Sequence, residues 1–165
     1  MKKVLLVATA ALLLVGCSSP FPGTTEADPS ESSPSEPAAP VTAVLLSETL
    51  KDAIPTITSV TQITEDNDPN DLIGRPTGYI DGALIVDTRA TKCMEPGVAC
   101  GATIEDWGDK QKASDRSLNI LSLLVEDGML GVEYHYILDG LLLRVSGELP
   151  PSAAAEYESI MVQER

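Results

Sequence analysis

The sequence predicts an α+β fold, a mainly antiparallel sheet with helices packed on one face. Three observations predict it. Asp139-Gly140 sits midway through a run of alternating apolar residues, which is a hairpin signature. Pro55 and Pro151 stop one helical pattern and start another. Between them lie short segments dense in Thr, Ile and Val, which suit a pleated surface better than a helix.

In chain order, Val44 to Ile54 repeats Leu46, Leu50 and Ile54 at i+4 spacing and reads as a helix ended by Pro55. Thr56 to Thr64 reads as a strand. A polar, turn-rich stretch runs to Tyr79, and Ala83 to Asp87 is an apolar strand. After a loop from Cys93 to Cys100, Ala102 to Trp107 is a weaker strand. Ser114 can cap a helix reaching Glu126, with Leu118, Leu121 and Val125 along one face.

The Asp139-Gly140 turn favours positive φ at both central positions and fixes the register of a hairpin from Glu133 to Ser146. It sets Leu138 opposite Leu141, Tyr136 opposite Leu143 and Tyr134 opposite Val145 on one apolar face. Glu133, His135 and Arg144 fall on the other face, expected outward. Pro150-Pro151 opens a last helix with Ala154, Tyr157 and Met161 at helical spacing.

The 165 residues hold enough for one modest core. With 11 Lys plus Arg against 25 Asp plus Glu, the chain lacks the basic patches that attract nucleic acid, so no nucleic-acid partner is expected. One His and three Cys exclude His-rich or multi-Cys metal sites. They allow a Ser/His/Asp arrangement only with His135 as its base, and no Ser stands in a nucleophile-elbow pattern.

The N-terminus carries the compartment signal. Met1-Lys2-Lys3 precedes twelve nearly apolar residues, Val4 to Val15, too few to span a bilayer and suited to a secretory leader. Leu14-Val15-Gly16-Cys17 follows and resembles the bacterial lipobox. That resemblance implies a signal peptide over 1–16 and a diacylglycerated Cys17 as the mature N-terminus. Each buried lipid methylene contributes about 0.8 kcal/mol, so two acyl chains anchor a soluble domain. Without Lys2 and Lys3, nine basic residues face 25 acidic ones, so anionic headgroups add nothing.

Ser18 to Pro40 holds six of the twelve Pro, six Ser, four acids and no Lys or Arg. Such a composition does not offset the entropy of ordering and reads as a disordered linker over 17–40. In polyproline-like extension it reaches about 70 Å. The folded unit is then 41–165.

Cys93 and Cys100 flank Pro96-Gly97, a turn pair, and in an exported domain they are expected to form a disulfide. A redox-active or metal role is the alternative; six intervening residues depart from the redox spacing of two. Glu65-Asp66-Asn67-Asp68-Pro69-Asn70-Asp71 is the densest oxygen cluster. Asp66, Asp68 and Asn70 open like a calcium loop, but its sixth position is Asp71 rather than Gly and its twelfth is Thr77 rather than Glu. Asp and Asn also shape turns, so no metal is expected. Gly74 and Arg75 invite an anion, with Arg75 pairing to Asp68 or Asp71 as the structural alternative. A Walker Lys and the dinucleotide glycines are missing, and no cofactor is expected.

Thr64 to Pro76 followed by Tyr79, with the Tyr136–Arg144 hairpin and the final helix around Tyr157, resembles a family of uncharacterised surface lipoproteins of Gram-positive, actinobacterial-type bacteria. Those proteins carry a Thr-Glu, an Asp-Pro-Asn and a Leu-Gly-Arg-Pro segment before a Tyr. Ile73 here replaces the commoner Leu. The resemblance implies a surface lipoprotein with a small α+β domain and brings no activity.

The expectation is therefore a non-enzymatic envelope lipoprotein. It is lipid-anchored on the extracytoplasmic side of the cell membrane and binds an envelope protein, peptide or small ligand. Asp66, Asp68, Asn70, Asp71, Arg75 and Tyr79 are its candidate binding residues, joined by Glu133, His135 and Arg144. The alternative is an envelope hydrolase using carboxylates of the Asp66–Asp71 loop, which requires surroundings that split their pKa values.

Overall fold

The computed structural model describes residues 40–127 and 131–165. The leader, Cys17 and nearly all of the linker lie outside the described residues. Three helices and a five-stranded antiparallel sheet form an α+β fold in the order α1 (Ala43–Ala53), β1 (Ile57–Gln62), β2 (Asp81–Asp87), β3 (Gly101–Asp106), α2 (Lys110–Asp127), β4 (Glu133–Leu138), β5 (Leu141–Ser146) and α3 (Pro151–Gln163). The sheet order is β1-β2-β3-β5-β4. No described helix is long and apolar enough to cross a membrane.

Local chemistry sets the helix ends. Thr42 caps α1, its hydroxyl accepting the Leu45 N–H at 3.2 Å. Pro150 precedes α3 and Pro151 occupies its first turn. The α2 helix begins a turn earlier than the Ser114 cap implies. Asp109 caps it instead, its Oδ1 accepting N–H bonds from Gln111 at 2.9 Å and Lys112 at 3.1 Å.

The hairpin register is the expected one: Leu138 pairs with Leu141, Tyr136 with Leu143 and Tyr134 with Val145. Asp139 takes the left-handed backbone at φ 49°, but Gly140 does not. Gly140 is needed for closeness instead, since a Cβ there would stand 2.7 Å from the Asp109 nitrogen and against the Gly108 backbone.

The helices divide between the two faces. α1 and α3 share one face as expected, burying Leu46, Leu50, Ile85, Ile104, Leu143 and Tyr157 in the main core. α2 lies on the other face, where Ala113 and Ile120 meet Leu84, Leu142 and Trp107. Leu141-Leu142-Leu143, buried at all three positions, needs cover on both sides of β5. The expected inward stripe of α2 points outward: Leu118 is 66% exposed, Leu121 37% and Val125 84%. The helix rests on Ala113, Ser117 and Ile120 instead, with Leu124 half-buried beside them.

Pro40 and Val41 share a cleft with Asp139, Gly140, Glu164 and Arg165. The start of α1 and the end of α3 therefore meet beside the hairpin tip.

Candidate functional site

The loop between β1 and β2 is built around Asp68. Its carboxylate accepts the N–H groups of Asn70 (2.8 Å), Leu72 (2.6 Å) and Ile73 (2.8 Å) and the Tyr79 hydroxyl. Burial alone would raise the Asp68 pKa, but the Tyr79 hydroxyl and the three N–H donors outweigh it and hold the carboxyl below its ordinary value. Tyr79 is wholly buried, and burial together with Asp68 pushes its hydroxyl pKa up. Tyr79 thus serves the interior and offers a ligand no surface, contrary to its expected binding role.

The rest of the loop is similarly committed. Asp71 sits at φ 52°, and Arg75 turns back on it, donating from Nε to its carbonyl at 2.6 Å and pairing with its carboxylate. Arg75 accordingly takes the structural alternative raised by the sequence. Asn67 bridges the Thr64 nitrogen and the Gln62 carbonyl. Gly78 lets the loop close, because a Cβ there would fall 1.7 Å from the Leu72 carbonyl oxygen. Asp66 is exposed, and it lines a shallow basin of about 500 Å³ with Glu65, Asp68, Asp71 and Arg75. Among the described residues no three His, Cys, Asp or Glu side chains converge to hold a metal.

A bond from Arg116 to the Asn70 amide oxygen, at 3.2 Å, carries the loop into the interior. Arg116 Nε also donates to Glu105 Oε2 at 3.3 Å, and the Trp107 indole N–H reaches the same oxygen at 3.1 Å. Glu105 is fully buried, and its other oxygen accepts from Arg144 at 2.8 Å. Arg144 grips Glu133 with two bonds of 2.8 Å. His135 stands between Glu133, at 2.9 Å, and the Ser117 hydroxyl, at 2.8 Å.

Burial would raise the Glu133 pKa, but His135 and Arg144 overcome it and bring it down to about 2. The same carboxylates keep Arg144 protonated, its pKa raised against the effect of burial. Glu133, His135 and Arg144 therefore do not form an outward surface, as expected for a sheet open on that face. They lie beneath α2 and join the Asp68 loop from inside.

The line Ser117–His135–Glu133 has the residue types of a nucleophile relay. Ser117 is only 7% exposed, however, and lines neither the acidic basin nor the groove beside it. Glu133 is already saturated by Arg144, and Asp68 is held as an acceptor. These groups are arranged to hold charge in place.

A second concavity, a groove of about 420 Å³, opens between Pro76-Thr77-Gly78 and α2. Trp107 forms part of its wall, held edge-on to Tyr79 with centroids 5.8 Å apart, and Arg116 lies 5.9 Å from the Trp107 ring centre. Lys112, Asp115 and Asn119 line the helix side. Asp115 accepts from Gln111, whereas Lys112 makes no ion pair among the described residues.

In comparisons with known proteins, no family model, no curated protein and no solved structure matches the chain.

Glu105, Arg116, Ser117, Lys112 and Asn119 were not singled out by the sequence. The signal for the buried part was present in the unbroken apolar runs Leu84-Ile85-Val86 and Leu141-Leu142-Leu143. Such runs imply a sheet covered on both faces, which leaves a charged residue on either face needing a buried partner. Cys93 and Cys100 lie at disulfide distance, their Cα atoms 4.3 Å apart.

Proposed function

We propose that this chain is a lipid-anchored binding module of the cell envelope that seats a carboxylate-bearing peptide or small molecule in the groove beside Trp107. One observation carries the reading. On a chain of net charge -14, Lys112 and Arg116 converge on a partly apolar groove. A cation beside an apolar wall favours a ligand with both an apolar body and an anionic end. Arg116 is pre-oriented by Glu105 and Asn70, and Lys112 and Asn119 supply flexible donors. The Asp68 loop shapes one wall and takes no part in recognition.

The lipobox-like Leu14–Cys17 and the apolar leader support export and anchoring through Cys17, with the domain on the extracytoplasmic side. An oxidising compartment suits the Cys93–Cys100 pair as a disulfide. The resemblance of the Thr64–Tyr79 segment to Gram-positive surface lipoproteins points the same way.

The sole Trp provides the assay. Titrating the full chain with short peptides that carry a free carboxylate should shift Trp107 emission saturably, and Lys112→Glu should abolish the shift. No shift with any such peptide, or an unchanged titration in the variant, would overturn the assignment. Mass spectrometry of the native chain should find a diacylglyceryl group on Cys17, and an unmodified thiol there would refute the anchor.

A further inference from the structure

On the groove flank of α2, helical geometry sorts the charges. Residues four apart stack on one face of a helix, so Lys112 and Arg116 form one row and Asp115 and Asn119 the next. All four line the groove beside Trp107, facing Pro76 and Thr77. The first row carries only hydrogen-bond donors, and the second carries a carboxylate and an amide oxygen. At 3.6 residues per turn the rows stand about 60° apart around the helix, close enough for one small ligand to touch both.

The rows do not neutralise each other. Lys112 and Asp115 are exposed and three positions apart, yet they form no ion pair among the described residues. The Asp115 carboxylate accepts from the neutral Gln111 amide at 2.9 Å instead. Arg116 pairs inward with Glu105, Glu105 with Arg144 and Arg144 with Glu133, so two cations and two anions cancel beneath the helix. Its Nε and Nη2 are taken by Glu105 and Asn70, while Nη1 bonds nothing among the described residues. The groove therefore offers a ligand one full charge of each sign, Lys112 and Asp115, with a free Arg116 donor beside the first and the Asn119 amide beside the second.

We infer, on the reading of this groove as a carboxylate site, that its ligand is a dipeptide with both ends free. The carboxylate lies between Lys112 and Arg116, the ammonium group between Asp115 and Asn119, and the side chains against Pro76 and the rim of Trp107. The size fits. A fully extended dipeptide spans about 7 Å at most, and neighbouring side chains on a helix stand about 5–6 Å apart at Cβ, whereas a longer peptide carries its two charges past the rows. A volume of about 420 Å³ is also toward the small end of ligand sites. The charge fits as well. On a chain of net charge -14 an anionic ligand is repelled at long range, whereas a dipeptide has no net charge and meets an opposite charge at each end.

Calorimetric titration of the full chain with two probes tests this. Leucyl-leucine should bind. N-acetyl-leucyl-leucine, which keeps the carboxylate and lacks the ammonium group, should bind about tenfold more weakly. Asp115→Asn should bind both probes alike, at the affinity the wild type has for the acetylated one. Its far-UV circular dichroism should be unchanged, because the position is exposed and an asparagine there can still accept from Gln111. A wild type that holds the acetylated probe as tightly as the free dipeptide overturns the inference and leaves the carboxylate reading standing. Discrimination that persists in Asp115→Asn overturns the placing of the ammonium group at Asp115. Binding of neither probe overturns the inference and the carboxylate reading together.

Discussion

The two faces of this sheet fill an interior by different means. Beneath α1 and α3 the contacts are almost wholly apolar, with Leu46, Leu50, Ile104, Leu143 and Met161 at 1% exposure or less. Beneath α2 a linked set of polar side chains takes their place, from fully buried Glu105 through Arg144 to the partly buried Glu133 and His135 and the Ser117 hydroxyl. Apolar packing is non-directional and tolerates substitutions of similar volume. A buried charge network is directional, so each member depends on the others being present. The first face secures the fold, and the second fixes how α2 and the Asp68 loop sit on it.

The sharpest way to break this contrast is to remove the centre of the network. Glu105→Ala leaves Arg144 buried against Glu133 alone and should cost about 4 kcal/mol in denaturant titration. Replacing Arg144 with Met as well should cost less than the sum of the two single changes, because the loss of the Glu105–Arg144 bond is then counted once. The matched change on the other face, Leu143→Ala, should cost about 3 kcal/mol through the cavity it leaves, with no such rescue by a second substitution.

Acid should expose the difference next. Glu133 is held at about 2 against an ordinary 4.5, so its contribution is complete above pH 4.5 and is lost as pH falls toward 2. Asp68 and Asp87 are also held low and act in the same direction. Glu133→Gln should therefore be less stable than wild type at neutral pH, and the two should converge as pH drops from 5 to 2, as followed by thermal melts.

Tyr157→Phe gives a smaller effect on the apolar face. It removes a single 2.9 Å bond to Asp87, a carboxylate also gripped by Arg89, and should cost about 1.5 kcal/mol. Smallest of all, Asp109→Ala and Thr42→Ala remove the caps of α2 and α1 and should each cost about 1 kcal/mol. A larger loss at Asp109 would mean that α2 relies more on its own ends than α1 does.

The same division explains what could be read from the sequence. The hairpin register, the stop at Pro55 and the start at Pro151 are local matters, decided by a few neighbouring residues, and all three are observed. The seating of α2 is not local. Its sequence offers two stripes, and the more hydrophobic one, Leu118, Leu121 and Val125, faces solvent while a stripe interrupted by Ser117 faces the sheet. Ser117 is inward because His135 meets it there, and a single helix gives no hint of that partner.

The candidate site divides in the same way. The turn-forming role of Asp68 and Asn67 and the Arg75–Asp71 pair followed from the residue types. The inward role of Tyr79 and the bond from Arg116 to Asn70 did not, since the latter joins residues 46 positions apart.

The cleft shared by Pro40, Asp139 and Arg165 places the start of the folded chain at the hairpin-tip end of the sheet. Anything that tethers the molecule through Pro40 grips it at the hairpin-tip pole. At the other end of the hairpin, Gly147 and Glu148 line a second cleft with Lys92 and Val98. Met94, 91% exposed, projects from the Cys93–Cys100 loop that leads into β3 at that same end.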